Sequence, residues 1–187
     1  MIVFLRHANT GVLSRIATSI SGRTSPTFET SVPAVVQKIQ RLNRLETVVY
    51  SLDTVVEGSK SSAVLPDLLA GDRILLIVHG QSIAGIDLSK LRPEDVHIAG
   101  KSIHVTLPAS ELFITSIDNQ RTRVYARSTG LLTSADQNLE SETRAHAQDQ
   151  LQKDALKDGI LDTARKNACA TVTTLLYGLG FQQVEVM

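Results

Sequence analysis

Ten consecutive residues constrain this chain more than any others: Val96-His97-Ile98-Ala99-Gly100-Lys101-Ser102-Ile103-His104-Val105. Two short runs that favour strands flank Gly100-Lys101, and glycine first in a two-residue loop suits the type II′ turn, whose twist matches that of the strands it joins. Such a turn sets the register. Ile98 then faces Ile103, His97 faces His104 and Val96 faces Val105. Val96, Ile98, Ile103, Val105 and Leu107 form one apolar face, with both histidines on the other.

Patterns elsewhere complete an α+β reading. Thr18 to Ser31 is rich in Ser and Thr and reads as linker. Ser31 can cap a helix running to about Asn43, with Pro33 in its first turn and Val35, Val36, Ile39 and Leu42 on one face. Glu46 to Val56, Arg73 to His79 and Ile83 to Leu88 read as strands, the second nearly continuous in Ile, Leu and Val and therefore central. Leu112 to Ile117 and Arg121 to Tyr125, on either side of Asp118-Asn119-Gln120, predict a further hairpin. From Leu139 onward the period changes. Leu151, Ala155, Leu156, Ile160, Ala164, Ala168, Val172, Leu175 and Leu176 recur three or four residues apart, as on a long helix capped by Ser134 or Asp136 and kinked at Gly159. Gly178 is placed to end it in a left-handed conformation, and Phe181 to Val186 returns as a last strand. The expectation is a mostly antiparallel sheet of hairpins packed against a long C-terminal helix, with a short N-terminal helix.

Composition narrows the class of partner. A chain of 187 residues, 42 % hydrophobic, buries about 70 % of its unfolded surface, enough for one compact domain. Its 19 basic and 19 acidic side chains cancel, so no global field draws in nucleic acid or an anionic membrane. Cys169 is the only cysteine. An internal disulfide and a cysteine-based zinc site are thereby excluded, and beside Ala168 and Ala170 it reads as a small buried residue.

A resemblance covers most of the chain. It is carried by Ile39-Gln40-Arg41-Leu42, Leu45-Glu46-Thr47, Leu75-Leu76-Ile77, Ala84-Gly85-Ile86-Asp87-Leu88-Ser89-Lys90-Leu91 and Glu94-Asp95-Val96. Leu107-Pro108, Val124-Tyr125, Gly130-Leu131, Asp158-Gly159-Ile160-Leu161, Ala164 and Leu179-Gly180-Phe181 continue it. In order and spacing, from about Pro33 to the C-terminus, these resemble the mostly bacterial domain of unknown function 4230. That resemblance implies no agreed catalytic residue, substrate or cofactor. It does imply a single membrane-spanning helix ahead of the domain. Here the apolar run Met1-Ile2-Val3-Phe4-Leu5 stops at Arg6-His7, far short of the roughly 20 residues a span needs, and the order of a signal peptide is absent. Residues 1–30 are therefore expected to be a flexible tail ahead of a single domain at residues 31–187. That tail is either a soluble start or the remnant of an anchor, which makes the setting cytoplasmic or membrane-associated.

Three places invite a chemical reading. Ile2-Val3-Phe4-Leu5-Arg6-His7-Ala8-Asn9-Thr10 resembles the strand-to-loop start of a histidine phosphatase, in which the His matching His7 is the phosphorylated nucleophile and the Arg matching Arg6 holds the phosphate. Ile77-Val78-His79-Gly80 mimics that family's second histidine motif but lies too far from the C-terminus, and Ser51-Leu52-Asp53-Thr54 lacks the arginine expected there. His97 and His104, with Cβ atoms roughly 4.5 to 5.5 Å apart if the register holds, are a candidate binding face, although two ligands do not make a zinc site. Arg121, Arg123 and Arg127 alternate along one strand and could meet a phosphate-bearing ligand or an acidic partner. Asp87 and Glu94-Asp95 belong to the family-like motif, and Asp87, before Leu88-Ser89-Lys90, reads as a turn former. No complete catalytic set emerges and no cofactor is implied. The preferred reading is a non-enzymatic, membrane-tethered module that binds a protein or small ligand. Its alternatives are phosphotransfer through His7 and an assembly element built on the long helix.

Overall fold

In the computed structural model, which describes residues 31–187, one very long hairpin organises everything else. Strands β1 (Arg44–Lys60) and β2 (Asp72–Asp87) pair antiparallel over their whole length, with a single bulge at Thr47. The two runs Arg73 to His79 and Ile83 to Leu88 are thus one strand: Gly80-Gln81-Ser82 interrupts the apolar pattern but not the ladder. Along β2, Ile74, Leu76 and Val78 are fully buried and alternate with half-buried Leu75, Ile77 and His79. One face of the sheet is therefore covered and the other is not.

The expected hairpin around Asp118-Asn119-Gln120 does not form. The four-residue β3 (Val96–Ala99) and β4 (Ser102–Val105) belong to a separate small sheet. β5 (Ser110–Ile117) and β6 (Arg123–Thr129) lie end to end on the same edge of β2, where Ile86 to Gly80 pair with β5 and Ile77 to Asp72 with β6. The turn residues make an excursion from that edge instead of a reversal. A strand of 16 residues offers more ladder than β5 can fill, and the unpaired backbone groups of its first half take up β6.

The helical stripe is divided in two. α2 (Leu139–Lys157) and α3 (Ile160–Gly178) are separated at Gly159, whose φ of 77° stops the first helix. Buried positions repeat every fourth residue, Thr143, Ala147, Leu151 and Ala155 in α2 and Ile160, Ala164, Ala168, Val172 and Leu176 in α3. On one continuous helix Ala155 and Ile160, five residues apart, would point about 140° away from each other. The break lets both helices face the sheet. Leu156 ends up 41 % exposed, outside the stripe. α2 covers Val56, Ile74, Leu76 and Val78, and the start of α3 covers Ala84 with Val48 and Tyr50. Asp136 contributes at the α2 entrance by accepting from the Asn138 N–H at 2.7 Å, while Asn138 occupies the cap position. At the far end the left-handed residue is Gly180 (φ 96°), two positions after the one expected.

The small sheet follows the hairpin register residue for residue: Val96↔Val105, His97↔His104 and Ile98↔Ile103. Gly100 takes φ 62°, as its turn requires. The last strand, β7 (Gln183–Val186), adds parallel to β4, so this sheet is mixed. Its apolar face packs with Val35, Val36 and Ile39 of α1 (Val32–Gln40), with Val172 and Leu176 of α3 and with Phe181. α1 stops three residues earlier than its pattern predicts. Asn43 turns left-handed (φ 52°) and leaves Leu42 39 % exposed.

Candidate functional site

His79 stands where the outer edge of the large sheet is interrupted. Its main chain has lost a regular partner, and the Asp118–Thr122 excursion supplies one: the Asp118 N–H donates to the His79 carbonyl at 2.8 Å, and the His79 N–H donates to Thr122 Oγ1 at 3.2 Å. Asp118 holds the excursion in shape by accepting from the N–H groups of Gln120 (2.9 Å) and Arg121 (3.2 Å). On the other side, β1 places Asp53 directly opposite, with Oδ1 2.6 Å from His79 Nδ1. With its proton on Nδ1 the ring donates to this carboxylate and offers Nε2 as an acceptor. Ser51, Gln81, Ser116 and Arg121 complete a depression of about 250 Å³ around the pair. Irregularities of this kind in a ladder re-aim side chains, which is why they recur beside functional sites.

The depression is polar in an apolar frame. Cross-strand neighbours share a face, so Val49, Ile83 and Ile114 form a row on one side and Val55 and Ile77 on the other. Val49, Val55 and Ile114 are 54 %, 60 % and 45 % exposed. Further along, Phe113, the extra residue of a bulge, lies over Gly85, and the Arg44 guanidinium sits 4.0 Å above its ring. That end of the face is closed.

The five side chains singled out in the sequence go to four places. Arg121 joins the depression. The alternation of the arginines is broken by Tyr125, the extra residue of a bulge in β6, so Arg123 (opposite Ile77) and Arg127 (opposite Ile74) lie on different faces. Arg127 is bound inward. It grips Asp72 through Nε (3.2 Å) and Nη2 (2.6 Å), and Asp72 also accepts from Thr129 Oγ1 and the Asp136 N–H. The Arg127 guanidinium, with these further donors, holds the buried Asp72 carboxyl down to about 2. The Asp136 carboxyl is in turn lowered, chiefly because Lys60 Nζ donates to it at 2.7 Å. This chain of ion pairs fastens β6 and the start of α2 to the long hairpin.

His97 and His104 stack with ring centroids 6.3 Å apart and planes inclined by 27°. Glu185 on β7 extends their row, its Oε2 3.2 Å from His104 Nδ1. Among the described residues no three His, Cys, Asp or Glu side chains are disposed to hold a metal ion. Sequence reasoning missed Glu185 because a parallel neighbour some 80 residues away carries no local signal. It also passed over Asp53 as a partner for His79. His7 and Arg6 lie outside the described residues.

Asp87 and Asp95, part of the resemblance noted above, both organise turns, Asp87 as expected. Asp87 Oδ1 accepts from the Ser89 N–H and hydroxyl, and Asp95 Oδ2 from the Arg92 N–H. The family described as "Protein of unknown function (DUF4230)" matches residues 37–186. This chain belongs to that family. The DUF4230 match begins inside α1 and ends on β7, so both sheets, both long helices and the His79 depression fall within it. No curated protein and no solved structure matches the chain. Among the described residues no helix is long and apolar enough to cross a membrane.

Proposed function

We propose that this chain is a non-enzymatic binding module that takes a protein segment on the open face of its large sheet, centred on His79. One juxtaposition supports the reading: a hydrogen-bonding group, His79 with Asp53 and Arg121, lies between two exposed apolar rows on a face that no described helix covers. Polar groups placed among apolar ones give a surface both adhesion and specificity. The depression, at about 250 Å³, falls below the roughly 300–1,000 Å³ of small-molecule sites, whereas an extended segment could use the rows on either side. In this reading Ser31–Met187 is the single folded domain of the module, and the family resemblance supports a membrane setting.

A photo-reactive side chain placed at Ile114 tests this, with Lys153 on the exposed side of α2 as the comparison. The expected result is a cross-link to another protein in membrane extracts from position 114 only, abolished by His79→Ala combined with Arg121→Ala. Equal products from both positions, or none, would reject the open face as a binding surface.

A further inference from the structure

The outer edge of β1 is unusually long, and it is left open only in the middle. Among the described residues β1 pairs with β2 alone, so one row of its main-chain N–H and C=O groups has no strand beside it. Both ends are guarded. At the Thr47 bulge α3 reaches over, with the Asn167 amide donating to the Thr47 carbonyl and the Thr47 hydroxyl to the Ala164 carbonyl, each at 2.9 Å. At the other end stands Lys60, paired with Asp136 and Glu142. Between them Val48-Val49-Tyr50-Ser51-Leu52-Asp53-Thr54-Val55-Val56 has no proline, lysine or bulge, and Asp53, its one charged side chain, is paired with His79 of the neighbouring strand. The opposite edge of the sheet is treated differently. β5 and β6 are short, each carries a bulge, Gln148 donates to the Thr115 carbonyl of β5, and β6 carries Arg123 and Arg127.

This open stretch is nearly its own mirror in order. Laid antiparallel on a second copy with Leu52 opposite Leu52, it sets Val48 against Val56, Val49 against Val55, Tyr50 against Thr54 and Ser51 against Asp53, each twice by the two-fold symmetry. No charge meets a like charge. The known registers carry the match across the sheet: Ile83 and Val49 of one protomer would continue into Val55 and Ile77 of its partner, and the His79–Asp53 pair would meet the partner's Ser51 hydroxyl.

We propose that two copies of this chain join edge to edge through residues 48–56 of β1, centred on Leu52, into one continuous sheet. The inference does not rest on what the open face binds, although Ser51 and Asp53 belong to both the edge and the His79 depression; the sedimentation readout reports the dimer alone. An interface of nine paired residues is smaller than a standard one, and a reversible dimer follows.

Sedimentation of the full chain over a range of concentrations up to about 1 mM tests it, with Ser51→Asp and Ser51→Lys as variants. Asp at position 51 would oppose the partner's Asp53 at two symmetry-related places and weaken the dimer roughly tenfold; Lys would tighten it by a similar factor. Unfolding midpoints measured alongside show whether each variant is folded. A chain that stays monomeric throughout, or a dimer that responds alike to both substitutions or to neither, overturns the Leu52-centred pairing.

Discussion

The two sheets solve the same problem at different scales. In the small sheet every strand has four residues, and α1, the end of α3 and Phe181 cover most of its apolar face: Val96, Ile103 and Val105 are at most 3 % exposed, with Ile98, Val184 and Val186 half-buried at its margin. β1 of the large sheet has 17 residues and reaches about 56 Å. A helix of 19 residues reaches about 28 Å, so two placed in succession are needed to cover one face, and none of the described helices remains for the other. The difference separates a region organised around a core from one organised around a surface. The latter is held in place by the Asp72 ion-pair chain at one end and by α3 at the other.

Substitutions can break or sharpen this contrast. The largest effect is expected in the small sheet, where Ile103→Ala should cost about 2–5 kcal/mol in urea unfolding. A loss under about 1 kcal/mol there would mean that its core is not what holds the fold together. Next, Asp72→Asn removes the carboxylate that Arg127, Thr129 and the Asp136 N–H share and should lower the urea midpoint, with faster amide exchange in β6 and little change in β3 and β4.

Acid should act at the same place. Because the folded-state carboxyl of Asp72 is depressed from 3.8 to about 2, its contribution is fully present above about pH 4 and disappears as pH falls through about 2. Wild type should therefore lose stability over that window more steeply than Asp72→Asn, and parallel pH profiles would show that the pair is not what anchors β6. Gly159→Ala, at φ 77°, should cost about 1 kcal/mol by straining the break between the helices. The smallest effect belongs to the open face. Val55→Thr should stay within about 0.5 kcal/mol, while the same change at fully buried Val105 should not.

Legibility in the sequence followed the range of each interaction. The Gly100-Lys101 turn, the Asp87-Ser89 turn and the helical stripe are all settled by neighbours within a few residues, and each was readable. The Asp118-Asn119-Gln120 segment was equally plain as a turn, yet it led to the wrong partner: turn chemistry says that the chain deviates, not where it lands. His79 and Arg127 failed for the same reason. Each was visible as a residue type, but Asp53 and Asp72, which define what the two side chains do, lie 26 and 55 positions away.

The amino-acid sequence alone determined the secondary-structure class, the β3–β4 register with its histidine pair, most of the buried helical stripe from Leu151 to Leu176 and membership of the family. These rest on periodicity and on backbone preferences of single residues, which act locally. Only the tertiary structure decided that β5 runs on into β6, that β7 joins in parallel, that the helical stripe divides at Gly159 so that both halves face the sheet, and that His79 meets Asp53. Periodicity marks which face of an element is buried but not what buries it, and closing a longer loop costs so little extra that the choice of partner passes to whichever long strand still has backbone groups to satisfy.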